Sequence, residues 1–218
     1  MSEAREIEPA KSLLILVSAC AGLCYMAGQT LDGLGLPVVP GPLLYLMAVV
    51  ALAAIVRNSV SRLRSGGWKL WGFILLGLFV SFAFEVLWFQ VTNSVGAATN
   101  SNTESIRGQL LDHPFAMGFA VVVIGPVVEE MLYRFGIFRL LSGIHVAVGH
   151  VGTALCFAFQ HVGVGWLVHG DPSQLWHAPG FVVYSLVMTM LYRRTGTILA
   201  PILVHMASNA IGVGFMLA

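Results

Sequence analysis

Two adjacent carboxylates and a guanidinium stand in an apolar run, Glu129-Glu130-Met131-Leu132-Tyr133-Arg134. Ionisable groups at membrane depth are costly and face a water-filled cavity or a partner, so such a run marks a functional site. Two more pairs follow in apolar surroundings, Phe157 with His161 and His205 with Asn209, each four residues apart. Buried carboxylates and imidazoles are groups that move protons. Their chemistry fits an enzyme buried in a membrane, and a proton-relaying transporter is the rival that shares it.

Spacing sorts these residues. Positions four apart share a helix face, and adjacent ones point about 100° apart. Glu130 can therefore pair with Arg134 along one side of its helix, as an ion pair that keeps the carboxylate charged. Glu129 points elsewhere, beside Tyr133, and has no local partner. Gly125-Pro126 precedes the acids. Proline lacks a backbone donor, so it frees the carbonyl four residues earlier and lets the helix kink and admit water. Pro201 stands four residues before His205 and can act in the same way. Ser208-x-x-x-Gly212 and Ala210-x-x-x-Gly214 suit close approach between membrane helices.

The elements that must position these groups are membrane helices. Of 218 residues 57% are hydrophobic and only 10% charged, with a mean hydropathy of +0.85. A soluble domain carries roughly 25% charged residues, so the chain is an all-α polytopic membrane protein. The net charge of +1 says nothing about nucleic acid, and no basic tract suggests such a partner. Cys20, Cys24 and Cys156 lie in apolar runs without metal-ligand spacing and are expected to be buried thiols. Val17-Ser18-Ala19-Cys20 resembles a lipoprotein cleavage box. The apolar run continues past Cys20 and the preceding segment is acidic, so it reads as part of a first membrane helix.

Seven spans are predicted, at 13–31, 38–56, 70–90, 115–135, 148–168, 178–192 and 197–217, the last four forming a catalytic bundle. The chain divides into N-terminal helices and an outer loop (1–111) and a catalytic membrane core (112–218). The stretch from Thr92 to His113 is expected to be an aqueous loop. His145 and His150 flank an inner connection, His113, His169 and His177 sit in or near outer loops, and all five are expected to be solvated or interfacial. The five tryptophans mark the interfacial belts. With the N-terminus inside, ten of the eleven lysines and arginines fall on the inner side and only Arg107 outside. That alternation predicts a cytoplasmic N-terminus and an outer C-terminus. For His161 to reach the depth of Glu129, the fifth span must run from about Val148 to Val168, with 136–147 as an interfacial connection.

Glu-Glu-x-x-x-Arg (129–134), Phe-x-x-x-His (157–161) and His-x-x-x-Asn (205–209), in that order on successive membrane helices, resemble the CAAX-protease and bacteriocin-processing (CPBP) intramembrane peptidases. The prenyl-protein endopeptidases of eukaryotes and archaea belong to the same group. Roughly residues 112–217 carry the resemblance. It implies an endopeptidase that cleaves a membrane-embedded or lipidated peptide or protein, of CAAX type or as a leader, with an activated water. By position, Glu129 and His161 would hold and deprotonate the water, and His205 and Asn209 would donate to the oxyanion. Glu130 and Arg134 would orient the first carboxylate, and Phe157 would pack beneath the histidine. The cofactor stays open: Glu129, His161 and His205 could supply three ligands to Zn2+, or the site works without metal. None of the motifs is the His-Glu-x-x-His of helical zinc proteases, which favours metal-independent glutamate chemistry. A non-catalytic scaffold, immunity or regulatory protein on the same fold is the alternative. All six polar motif residues stand intact against it, and no repeat supports a transporter. A compact chain of this kind suits a prokaryotic plasma membrane, with the substrate and the oligomeric state open.

Overall fold

The computed structural model describes residues 59–97 and 99–218. The first two predicted spans, with Cys20, Cys24 and the Val17–Cys20 box, lie outside the described residues. Within them the protein is helical, and no strand occurs. Five helices are long and apolar enough to cross a membrane: Gly67–Ser94, Pro114–Ser142, Val146–Gly163, Pro172–Thr195 and Leu199–Leu217. They correspond to the last five predicted spans, so the chain is an all-α polytopic membrane protein.

We label the helices α1 (Gly67–Ser94), α2 (Ser101–Asp112), α3 (Pro114–Ser142), α4 (Val146–Gly163, continuing as helix through Val164–His169), α5 (Ala178–Thr195) and α6 (Leu199–Leu217). α5 packs between α4 and α1, while α6 packs against α1, α3 and α5. Leu70 and Ile74 of α1 share a buried cluster with Met188 and Leu191 of α5 and with Ala200 and Val204 of α6. A second cluster joins Met131 and Phe135 of α3 to Ile198 and Ile202. In a bilayer such contacts are held by packing rather than by water exclusion, so close fit decides which helices meet.

Several local expectations are corrected. The stretch from Thr92 to His113 is not a loop throughout, because α2 fills most of it. Asn100 caps that helix by accepting from the Thr103 N–H at 3.2 Å. Residues 136–147 are not a long connection either: α3 runs to Ser142, and only 143–145 separate it from α4. The turn is tight because Gly149 faces it. A Cβ there would lie 2.1 Å from Ser142 Oγ and 3.1 Å from Phe138 Cε2. His145 closes the turn by accepting from the Ala147 N–H. Among the described residues close approach falls on Gly149, while the Cβ positions of Gly212 and Gly214 meet nothing there. Cys156 is a free thiol exposed on the outer face of α4, not a buried one. His150, half-buried, is also hydrogen-bonded, its Nδ1 lying 2.9 Å from Thr189 Oγ1 of α5.

The connections hold the two ends of the bundle. At one end Gly196 takes φ +64°, the left-handed conformation that ends α5, and Arg62 Nη1 donates to its carbonyl at 2.6 Å. At the other, Gln174 accepts from the Ser101 N–H and donates to the Thr99 carbonyl, and Trp88 donates to the Trp176 carbonyl at 2.7 Å. Asp171 caps the 3-10 turn Pro172–His177. The Ser173 hydroxyl and N–H hold its carboxyl below the usual carboxylate range.

Candidate active site

The three motifs meet near the middle of the bundle. α3 carries the acids between two π-helical segments, Ala120–Ile124 and Met131–Phe138, and a third, Phe159–Gly163, contains His161. Each π segment admits one more residue per turn than an α-helix and so re-aims the side chains that follow; such segments often occur at functional sites. α4 both starts at Val146 and continues as helix to His169, which brings His161 to the depth of Glu129.

Glu129 Oε2 lies 3.8 Å from His161 Nε2 and 3.9 Å from His205 Nε2. It is sealed from solvent and has no hydrogen-bond partner. The other nitrogen of each imidazole is occupied. His161 Nδ1 is 2.9 Å from the Phe157 carbonyl, and His205 Nδ1 is 2.8 Å from Glu130 Oε1. Both of those oxygens accept, so each Nδ1 carries a hydrogen and each Nε2 is turned toward Glu129.

Glu130 and Arg134 are fully buried, with Glu130 Oε2 3.1 Å from Arg134 Nε. This is the pair expected from spacing, but its carboxylate supports His205 rather than contacting Glu129. The guanidinium is held further by Ser185 of α5: Nη2 donates to Ser185 Oγ at 3.1 Å and to its carbonyl at 3.3 Å. It also lies over Phe157, 5.1 Å from the ring centroid. Phe157 packs against His161 with 4.4 Å between ring centroids, and Phe181 stacks on the same imidazole at 4.5 Å.

Four contributors escaped the sequence reading. Ser185 anchors Arg134. Asn100 Nδ2 donates to the His161 carbonyl at 3.3 Å and ties α2 to the third π segment. The Tyr133 hydroxyl donates to Gln160 Oε1, linking α3 to α4 beside the acids. Tyr184 meets the His205 ring edge-on at 5.3 Å. All four act across helices, where spacing within one helix is silent; for Ser185, Tyr133 and Tyr184 polarity in an apolar span was the available signal. On α6, one turn beyond His205, Asn209 Nδ2 donates to the Val121 carbonyl of α3 at 2.9 Å.

Zinc tests poorly against this donor set. A tetrahedral ion with bonds of about 2.0–2.1 Å holds its ligands about 3.4 Å apart. The spacings here are wider, and among the described residues no three His, Cys, Asp or Glu side chains converge to hold a metal. A water that donates to two acceptors over hydrogen bonds of about 2.8 Å tolerates the wider spacing.

Residues 111–211 match the family model described as type II CAAX prenyl endopeptidase Rce1-like. Among curated proteins, UPF0177 protein YajF of Lactococcus lactis subsp. lactis (strain IL1403) is 25% identical over 162 residues, which cover 71% of this chain and 72% of that protein. No solved structure matches the chain significantly. Glu129, His161, His205 and Asn209 all fall in the matched segment, so the resemblance they carry is borne out: over residues 111–211 the chain is similar to the Rce1-like type II CAAX prenyl endopeptidases.

Proposed function

We propose that this protein is an intramembrane endopeptidase that hydrolyses a peptide bond with a water activated by Glu129. The observation that carries the reading is Glu129 Oε2, buried, without a hydrogen-bond partner and facing two imidazole Nε2 atoms at 3.8 and 3.9 Å. A water there donates one hydrogen to Glu129 and the other to His161 Nε2, which leaves its oxygen lone pairs free for attack.

Glu129 takes the proton as the water oxygen bonds to the scissile carbonyl carbon. The negative charge then develops on the carbonyl oxygen. His205, as its imidazolium, donates to that oxygen from Nε2, and the Asn209 N–H not engaged with Val121 adds a second donor. Collapse of the tetrahedral intermediate breaks the C–N bond, and Glu129 returns its proton to the leaving amine. A charged His205 balances the ledger of the site: two glutamates against Arg134 and one imidazolium. Base catalysis of this kind contributes about 10²–10⁴-fold, and each oxyanion donor about 10²–10³-fold.

The reacting groups sit mid-helix, so the substrate comes as a membrane-embedded or lipidated peptide, in a CAAX-type or leader-processing reaction. The test is cleavage of a quenched membrane-peptide library by detergent-purified protein, with and without a chelator. Cleavage lost in both Glu129→Ala and His161→Ala and insensitive to chelation is expected. Chelator sensitivity with metal rescue would replace the metal-free mechanism. Equal behaviour of wild type and variants, on a library that a related enzyme cleaves, would put a non-catalytic scaffold first.

A further inference from the structure

The contact between Asn209 and Val121 follows from a gap in the backbone of α3. An α-helical carbonyl accepts from the N–H four residues on, and a π-helical one from five residues on. For Val121 the first donor is Gly125, whose N–H instead bonds the Ala120 carbonyl, five residues back. The second is Pro126, which has no N–H. Neither intrahelical partner exists, so the Val121 carbonyl is orphaned one residue earlier than an uninterrupted α-helix would place it. Asn209 Nδ2 meets it at 2.9 Å. A carbonyl left unbonded at this depth costs free energy, because no bulk water replaces the lost donor.

The segment that creates this gap also sets the aim of the acids. An inserted residue rotates everything after it by about 100° relative to a regular helix. Glu129 follows Gly125 by one turn, and its Oε1 lies 4.0 Å from where a Gly125 Cβ would stand. On α6, Asn209 lies one turn beyond His205, which faces both glutamates. One side-chain amide therefore ties the rotated register of α3 to the helix that carries the second histidine.

We propose that Asn209 is a positioning residue as well as an oxyanion donor: it holds the Val121 carbonyl orphaned by Pro126, and so keeps the π segment that aims Glu129 at His161 and His205. The proposal rests on the protease reading for its kinetic consequences but not for its structural ones. Restoring the missing N–H with Pro126→Ala gives Val121 a donor within its own helix and makes the amide partly redundant.

The experiment is a double-mutant cycle of Asn209→Ala and Pro126→Ala on the full chain, read by thermal unfolding in detergent and by kcat and KM on a cleaved peptide. Asn209→Ala is expected to lower Tm by several degrees and kcat by more than about tenfold with KM little changed. In the Pro126→Ala background the same substitution should shift Tm little and cost a clearly smaller factor in kcat. An Asn209→Ala variant with wild-type Tm would overturn the proposal, because a donor used only in the transition state leaves the resting protein unaffected. So would equal losses in both backgrounds. The Tm arm needs no activity and survives a failure of Pro126→Ala to fold, since Asn209→Ala alone decides it. Glu129→Ala, tested in parallel, judges the protease reading separately.

Discussion

The buried Glu130–Arg134 pair shows what spacing could and could not reveal about single residues. Four-residue spacing was enough to join the two side chains on one face, and the absence of a local partner singled out Glu129. The destination of Glu130 was not legible, because His205 lies 75 positions away and meets it only once α3 and α6 have packed. Ser185 was equally silent, a single serine in an apolar helix until Arg134 turns toward it. The energetics are asymmetric. Arg134→Met leaves Glu130 fully buried and without the guanidinium, and should destabilise the protein by about 3–5 kcal/mol. Pairing it with Glu130→Gln should recover part of that loss in a denaturation series. Ser185→Ala removes one hydrogen bond to a charged group and should cost about 1.5–3 kcal/mol, less than the loss of the guanidinium itself.

Helices were legible as apolar runs and their registers were not. Hydropathy located α1, α3, α4, α5 and α6 to within a few residues at most ends, since about 20 apolar residues in a row have few other uses. It missed α2, whose polar surface reads as loop, and the extension of α3 to Ser142. It also missed the three π segments, because an inserted residue leaves composition unchanged. Pro126 was recognised as a helix disturber, yet the carbonyl it orphans is Val121, five residues back, since the segment is already in π register. Two predictions belong at this scale. Gly149→Val should destabilise the α3–α4 hairpin by about 1–3 kcal/mol, because its side chain must displace Ser142 and Phe138; thermal unfolding checks it. Asn100→Ala removes both the cap of α2 and the bond to the His161 carbonyl. It should cost about 1 kcal/mol in stability and lower kcat more than it raises KM.

At the scale of the whole molecule, among the described residues, two ends of the helix bundle differ in their side chains. Arg62 reaches Gly196, close in sequence to Arg193 and Arg194, and Arg139 lies over Phe135 of α3. Trp88 and Trp176 meet at the opposite end. The lysine and arginine count alone predicts that the basic end is cytoplasmic and Arg107 outside, and labelling decides it. In a cysteine-free background, a cysteine placed at Arg194 should react with an impermeant maleimide only after the membrane is opened, and one at Arg107 in intact cells. The reverse pattern would invert the topology and place the C-terminus inside. What no apolar pattern could supply is the convergence of Glu129, His161 and His205 from three helices into one site.

That convergence is tested most directly by a single turnover in ¹⁸O-labelled water with enzyme in excess over peptide, run on wild type and Glu129→Gln. Activation of water by Glu129 predicts one ¹⁸O in the new C-terminal carboxyl of the product, none in the Glu129 side chain, and a rate lower by more than about a hundredfold in Glu129→Gln. An unlabelled first-turnover product with ¹⁸O in Glu129 would instead mean a covalent acyl-enzyme. Cleavage by Glu129→Gln at the wild-type rate would remove the carboxylate from the chemistry altogether.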